Sequence, residues 1–111
     1  MELQIDRQGR IAVVTVAGRL SSAVADAFDE SLQRALDDGA AEVLVDMSHL
    51  TFIASTGLRA LILAAKRLNP EGGRVHLFGM DEPVRDVFQV SGLMRVFPVY
   101  ATRAEAEAAL G

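Results

Sequence analysis

Apolar residues alternate with polar ones at the start of the chain, at Leu3 and Ile5, and become nearly continuous from Ile11 to Val16. Gln8-Gly9-Arg10 lies between the two runs as a turn, so the pattern predicts a β-hairpin with Gly9 at a positive φ. The second run is too apolar for a strand wetted on one face, which places it near a sheet centre. After Gly18-Arg19-Leu20 the period changes. Ser21 or Ser22 can cap a helix whose apolar face is Val24, Phe28, Leu32, Ala35 and Leu36, ended by Asp37-Asp38-Gly39. Val43-Leu44-Val45 reads as a short buried strand closed by Asp46, and Met47 to Ala54 as a loop. A second helix is predicted from Ser55 to Leu68, stopped by Asn69-Pro70. Arg74 to Phe78 is a strand, Asp81-Glu82-Pro83 opens a third helix with inner residues Val84, Val87 and Phe88, and Gly92 can end it. Phe97 to Tyr100 reads as an edge strand because of Pro98, and Thr102 with Glu105 forms a capping box for a last helix.

The resulting order, β-β-α-β-α-β-α-β-α, calls for an α/β fold. Strand–helix alternation requires a mostly parallel sheet of about five strands with about four helices, and the hairpin adds one antiparallel edge strand. At 111 residues the chain reads as one domain spanning 1–111, long enough to bury a core without staples.

Composition removes several classes of function. There is no cysteine, so disulfides, zinc–thiolate sites and thiol nucleophiles are out. A net charge of −4 opposes nucleic-acid binding. The N-terminus lacks a basic segment followed by an apolar run, and no apolar stretch reaches membrane-spanning length, so a cytoplasmic chain without membrane insertion is expected. No phosphate-binding glycine loop and no nucleophile elbow is present, which predicts a non-enzyme without cofactor or metal. The two histidines, His49 in the predicted loop and His76 in a strand, share no metal-ligand spacing. A hydrolase built on Ser55 with His49 as base would still lack an orienting acid and an oxyanion hole.

What remains is Ser55-Thr56-Gly57 at the start of the second helix. Two hydroxyls there are either helix caps, the commonest use of Ser and Thr at such a position, or a reactive pair presented to a partner. In the same helix Leu58, Leu61, Ile62, Ala65 and Leu68 form the predicted buried stripe. Leu63 falls on the opposite side among Arg59, Lys66 and Arg67. A leucine inside a basic rim is a docking patch, or one of the isolated surface leucines that any protein carries.

In this order and at these spacings the chain resembles the STAS family, the sulfate transporter and anti-sigma factor antagonist domains, and above all its stand-alone bacterial members. Gly18-Arg19-Leu20 is similar to the family's Gly-x-Leu turn, Val45-Asp46-Met47-Ser48 to its Asp-Leu-Ser strand end, and Phe52-Ile53-Ala54-Ser55-Thr56-Gly57-Leu58 to its Phe-Ile-Asp-Ser-Ser/Thr-Gly-Leu signature. Val90-Ser91-Gly92-Leu93 with Val96-Phe97 is similar to its late Thr-Gly-Leu segment. The resemblance implies an anti-sigma factor antagonist, monomeric when free, with Ser55 as phosphoacceptor and Thr56 as fallback. It implies a partner-binding face of Ser55, Thr56, Gly57, Arg59, Leu63 and Arg67. The implied partners are an anti-sigma factor that is also a serine kinase of the histidine-kinase-like ATPase type, and a PP2C-type phosphatase. Ala54 departs from the pattern, standing where the family carries Asp. That departure fits a second implied role, an unphosphorylated docking subunit of an ABC-type lipid-transport or other signalling complex.

Overall fold

The structure is a computed structural model and describes residues 2–110. Strands β1 (Glu2–Gln8) and β2 (Ile11–Leu20) form the hairpin, with Gly9 at φ 63° in its turn. Helix α1 (Ser22–Asp37), β3 (Glu42–Ile53), α2 (Ser55–Leu68), β4 (Val75–Phe78), α3 (Glu82–Val90), β5 (Val99–Tyr100) and α4 (Arg103–Leu110) follow. The sheet order is β1-β2-β3-β4-β5, with β1 antiparallel and the other neighbours parallel. The predicted α/β architecture is thus observed.

Alternation along β2 and β3 divides the core. Val14, Val16, Val43 and Val45 join Phe28 and Leu32 of α1, Leu61 and Leu68 of α2, and Val84 and Phe88 of α3. Val13, Leu44 and Phe78 meet Ala106 of α4 in a separate, smaller cluster. Strands with apolar residues on both faces are the reason Ile11 to Val16 reads as continuously hydrophobic. His76 is buried in β4, where Glu42 lies 3.0 Å from its Nε2 and the Tyr100 hydroxyl 3.3 Å from its Nδ1. In α3 the Asp81 carboxylate accepts from the Val84 N–H, as a cap should, but Val87 is exposed and only Val84 and Phe88 face inward.

One expectation is corrected. Residues 47–53 are not a loop, and Asp46 does not end the strand: β3 runs on to Ile53, paired with β2 alone beyond the reach of β4. Two register shifts, between Thr15 and Ala17 and between Gly18 and Arg19, each place an extra residue on the β3 side. Inward positions therefore fall at Met47, Leu50 and Ile53, a spacing of three that hides the strand from a period-two reading. The Asp46 carboxylate accepts from both the N–H and the hydroxyl of Ser48, holding the chain at the first shift.

Candidate functional site

The long β3 determines where the Ser55 segment sits. Beyond Ile53 the ladder continues for one more bond, from Ala54 N–H to Leu20 C=O at 2.8 Å. Ala54 C=O then accepts from Gly57 N–H at 3.0 Å and Leu58 N–H at 3.1 Å, which starts α2. The N-cap is consequently Ala54, which has no side-chain acceptor, and Ser55 and Thr56 are the first two residues of the helix. Capping does not account for either hydroxyl. Ser55 is exposed, and its hydroxyl makes no hydrogen bond among the described residues.

Thr56 has a different environment. Its Oγ1 lies 3.3 Å from Ser22 Oγ, and Ser22 is the first residue of α1. The adjacent parallel strands β2 and β3 therefore release two helices whose N-termini touch at the carboxyl end of the sheet. Both hydroxyls thus sit beyond the carboxyl ends of these strands, on the face that α1 and α2 share. Phe52 reaches the surface at this end, 37% exposed, with the Arg19 guanidinium 4.2 Å from its ring centre.

Between Thr56 and Leu63 the two helices enclose a groove of about 230 Å³. Thr56, Arg59 and Leu63 line it from α2, and Ala25, Asp26 and Asp29 from α1. Leu63 is 39% exposed, as the helical wheel predicts. One carboxylate oxygen of Asp29 is buried there without a hydrogen-bond partner. At the other end Arg67 binds the side chains of Gln33 and Asp37, fastening α2 to α1. The groove is thus held at both ends by contacts within the protein.

Three of the expected face residues, Thr56, Arg59 and Leu63, share this groove, and Ser55 precedes it. Arg67 is occupied by α1. Gly57 is buried rather than presented. Leu58, Leu61, Ala65 and Leu68 are buried as the wheel expected, but Ala60 and Ala64 are buried with them while Ile62 is only half-buried. Small residues on that stripe let α2 lie close to its neighbours. Asp26, Asp29, Phe52 and Arg19 were not anticipated. The two aspartates, three apart on the outer side of α1, were the available signal. His49 is exposed, pairs in register with Ala17, and makes no hydrogen bond to Ser55. Among the described residues no cluster of side chains could hold a metal ion, and no helix is long and apolar enough to cross a membrane.

Gly57 has a steric role. A Cβ there would lie 2.9 Å from Cγ and Cδ2 of Leu20 and 3.1 Å from Cγ1 of Ile53, and Leu20 is fully buried. Gly57→Val is expected to destabilise the fold by about 1–3 kcal/mol through overpacking. At this size that lowers the melting temperature by roughly 5–15 °C. An unchanged thermal melt would show that α2 does not need the close approach.

Comparison with known proteins gives a consistent result. The sequence matches the STAS domain family over residues 2–106. It is 34% identical over 109 residues to BtrV of Bordetella bronchiseptica, which carries the provisional name of anti-sigma factor antagonist; the match covers 98% of this chain and 94% of that protein. The fold superposes with a TM-score of 0.88 on the crystal structure of an anti-sigma factor antagonist from Mycobacterium paratuberculosis, at 24% identity over 97% of this chain and 92% of that one. It superposes with a TM-score of 0.77 on the phosphorylated form of the Bacillus cell fate determinant SpoIIAA, at 24% identity over 99% and 100% of the two chains.

Proposed function

Because the chain belongs to the STAS domain family, we propose that it is an anti-sigma factor antagonist switched by phosphorylation of Ser55. The surface from Ser55 through the α1–α2 groove binds an anti-sigma factor that is also a serine kinase of the histidine-kinase-like ATPase type. Transfer of the ATP γ-phosphoryl group to Ser55 Oγ, with loss of the hydroxyl proton and release of ADP, ends the complex. A PP2C-type phosphatase restores the hydroxyl by hydrolysis. The observation that carries this reading is the Ser55 hydroxyl itself, exposed, unbonded and excluded from the cap position by Ala54.

A phosphate on Ser55 adds nearly two negative charges at a helix N-terminus, where the helix dipole favours an anion. The fold accepts that charge. A partner surface fitted to the neutral hydroxyl does not, and the groove beside it already carries Asp26 and Asp29.

Ala54 favours a second reading, a constitutive docking subunit of an ABC-type lipid-transport complex that uses the same face without phosphorylation. The two separate in one experiment. The chain is captured with its partner from its native host, incubated with Mg-ATP, and mapped by peptide mass spectrometry. One phosphate on Ser55 accompanied by dissociation supports the switch. An ATP-insensitive complex with unmodified Ser55 and Thr56 supports the docking subunit.

A further inference from the structure

At the opposite end of α2 from Ser55 is a cavity of about 380 Å³. It lies where the helix C-terminus, the tight turn Asn69–Glu71, the start of β4 and the short turn Leu93–Arg95 converge. Arg74 and Arg95 line it from separate segments. Both are exposed, and neither guanidinium has an acidic or hydrogen-bonding side-chain partner among the described residues. Among the described residues no Asp or Glu lines the cavity, although the chain as a whole carries a charge of −4.

Arg74 and Arg95 both line this concavity, so an anion bound in it is attracted to both. Guanidinium groups match the geometry of phosphate oxygens, to which they donate in pairs. The α2 C-terminus turns the negative end of its dipole toward this cavity, so the arginines must outweigh it, and part of that negative end is already covered. In the orientation its neighbours require, the Asn69 amide donates to Ala65 C=O at 3.2 Å and Gly73 C=O at 2.9 Å, covering two carbonyl oxygens. The Gly72 and Gly73 N–H groups are already bonded to Asn69 C=O and Leu68 C=O, so the arginines must supply the binding. The remaining wall is apolar. Val96 is 49% exposed there, beside Pro98 and the buried Phe97. Cations together with apolar carbon in one lining select a ligand with an anionic head and an organic body, and the volume suits a small molecule.

We propose that this cavity binds a small organic phosphate ester, with its phosphate between Arg74 and Arg95 and its organic part against Val96 and Pro98. Nothing in this site depends on Ser55 or on the identity of the protein partner.

The test is an NMR titration of the full chain with phenyl phosphate and, separately, inorganic phosphate. Phenyl phosphate is expected to bind saturably with a Kd below about 1 mM, shifting the amides of Gly72, Gly73, Arg95 and Val96. Inorganic phosphate, lacking the apolar part, should bind the same site roughly tenfold more weakly. The double variant Arg74→Gln/Arg95→Gln should keep the parental melting temperature, since both side chains are exposed, and lose binding. The proposal is overturned if phenyl phosphate produces no saturable shift, or shifts scattered elsewhere. It is equally overturned if the folded double variant binds as well as the parent, or if inorganic phosphate matches phenyl phosphate. Capture by phosphatidic acid vesicles without any response to phenyl phosphate would also overturn it, because the arginines would then be serving a lipid surface. The shift map on the parent protein decides the matter even should the double variant fail to fold.

Discussion

Ser55→Asp is expected to weaken binding to the anti-sigma factor by at least about a hundredfold while leaving the melting temperature within roughly 2 °C of the parent. The two halves of this result have separate causes. In the free protein a carboxylate at the first position of α2 faces unsatisfied N–H groups and the positive end of the helix dipole, which stabilises it by about 0.3–1 kcal/mol. No hydrogen bond of Ser55 is lost, since its hydroxyl makes none among the described residues. In the complex the same carboxylate would be buried against a surface shaped for a neutral group. An unpaired buried charge costs on the order of 3–5 kcal/mol, and about 1.4 kcal/mol is a factor of ten in affinity. Ser55→Ala should bind as the parent does and accept no phosphate from the kinase. Calorimetric binding alongside a thermal melt reads both halves. A melting temperature lowered by more than about 5 °C, equivalent to roughly 1 kcal/mol, would assign Ser55 to the structure. Unchanged affinity with unchanged stability would remove it from the interface.

The reason Ser55 can be separated from folding was not visible in the sequence. Ser-Thr before an apolar helix is a capping pattern, and the pattern alone leaves cap and switch undecided. The Ala54 N–H bond to Leu20 C=O takes Ser55 out of the cap position by holding Ala54 to the sheet and starting the helix one residue earlier than a serine cap would require. That bond depends on β3 reaching Ile53, and the sequence conceals this extension. Register shifts convert an alternating strand into one that turns inward at every third residue, which resembles neither strand nor helix.

Features that depend on one uninterrupted period were legible. The α2 boundaries, Ser55 to Leu68, coincide with the predicted ones, and the wheel placed Leu63 outward. Features that depend on a neighbouring element were not. Gly57 reads as part of a surface motif until Leu20 and Ile53 are placed against it. Arg67 reads as a free cation until α1 brings Gln33 and Asp37 within reach. Asp26 and Asp29 acquire meaning only when α1 and α2 lie side by side and a groove forms between them. The chain order of helices and strands follows from local periodicity, whereas the composition of a site at the seam of two helices is a property of their packing.

Leu63→Glu tests that seam directly and should abolish detectable binding, a loss of at least a hundredfold by the same charge-burial argument. Leu63 is 39% exposed in the free protein, so the substitution exchanges little buried apolar area. Leucine and glutamate have similar helix propensities, and a glutamate at this position gains Lys66 as a partner three residues on. The melting temperature should therefore hold. On docking, an apolar contact of up to about 1.5–3 kcal/mol would be lost. A third carboxylate would also enter a groove that already holds Asp26 and Asp29, one of whose oxygens has no partner of its own. Leu63→Ala separates these terms. It removes only the apolar contact and should weaken binding by about ten- to a hundredfold, leaving an affinity that can still be measured. If the glutamate variant bound like the parent, the partner could not be seated in the groove. The interface would then have to lie on the other side of Ser55, where Phe52 and Arg19 stack at the end of the sheet. A graded loss from alanine to glutamate with constant stability fixes the contact to the α1–α2 seam, and with it the reason a phosphate on Ser55, one turn from Arg59, would be felt by the partner rather than by the fold.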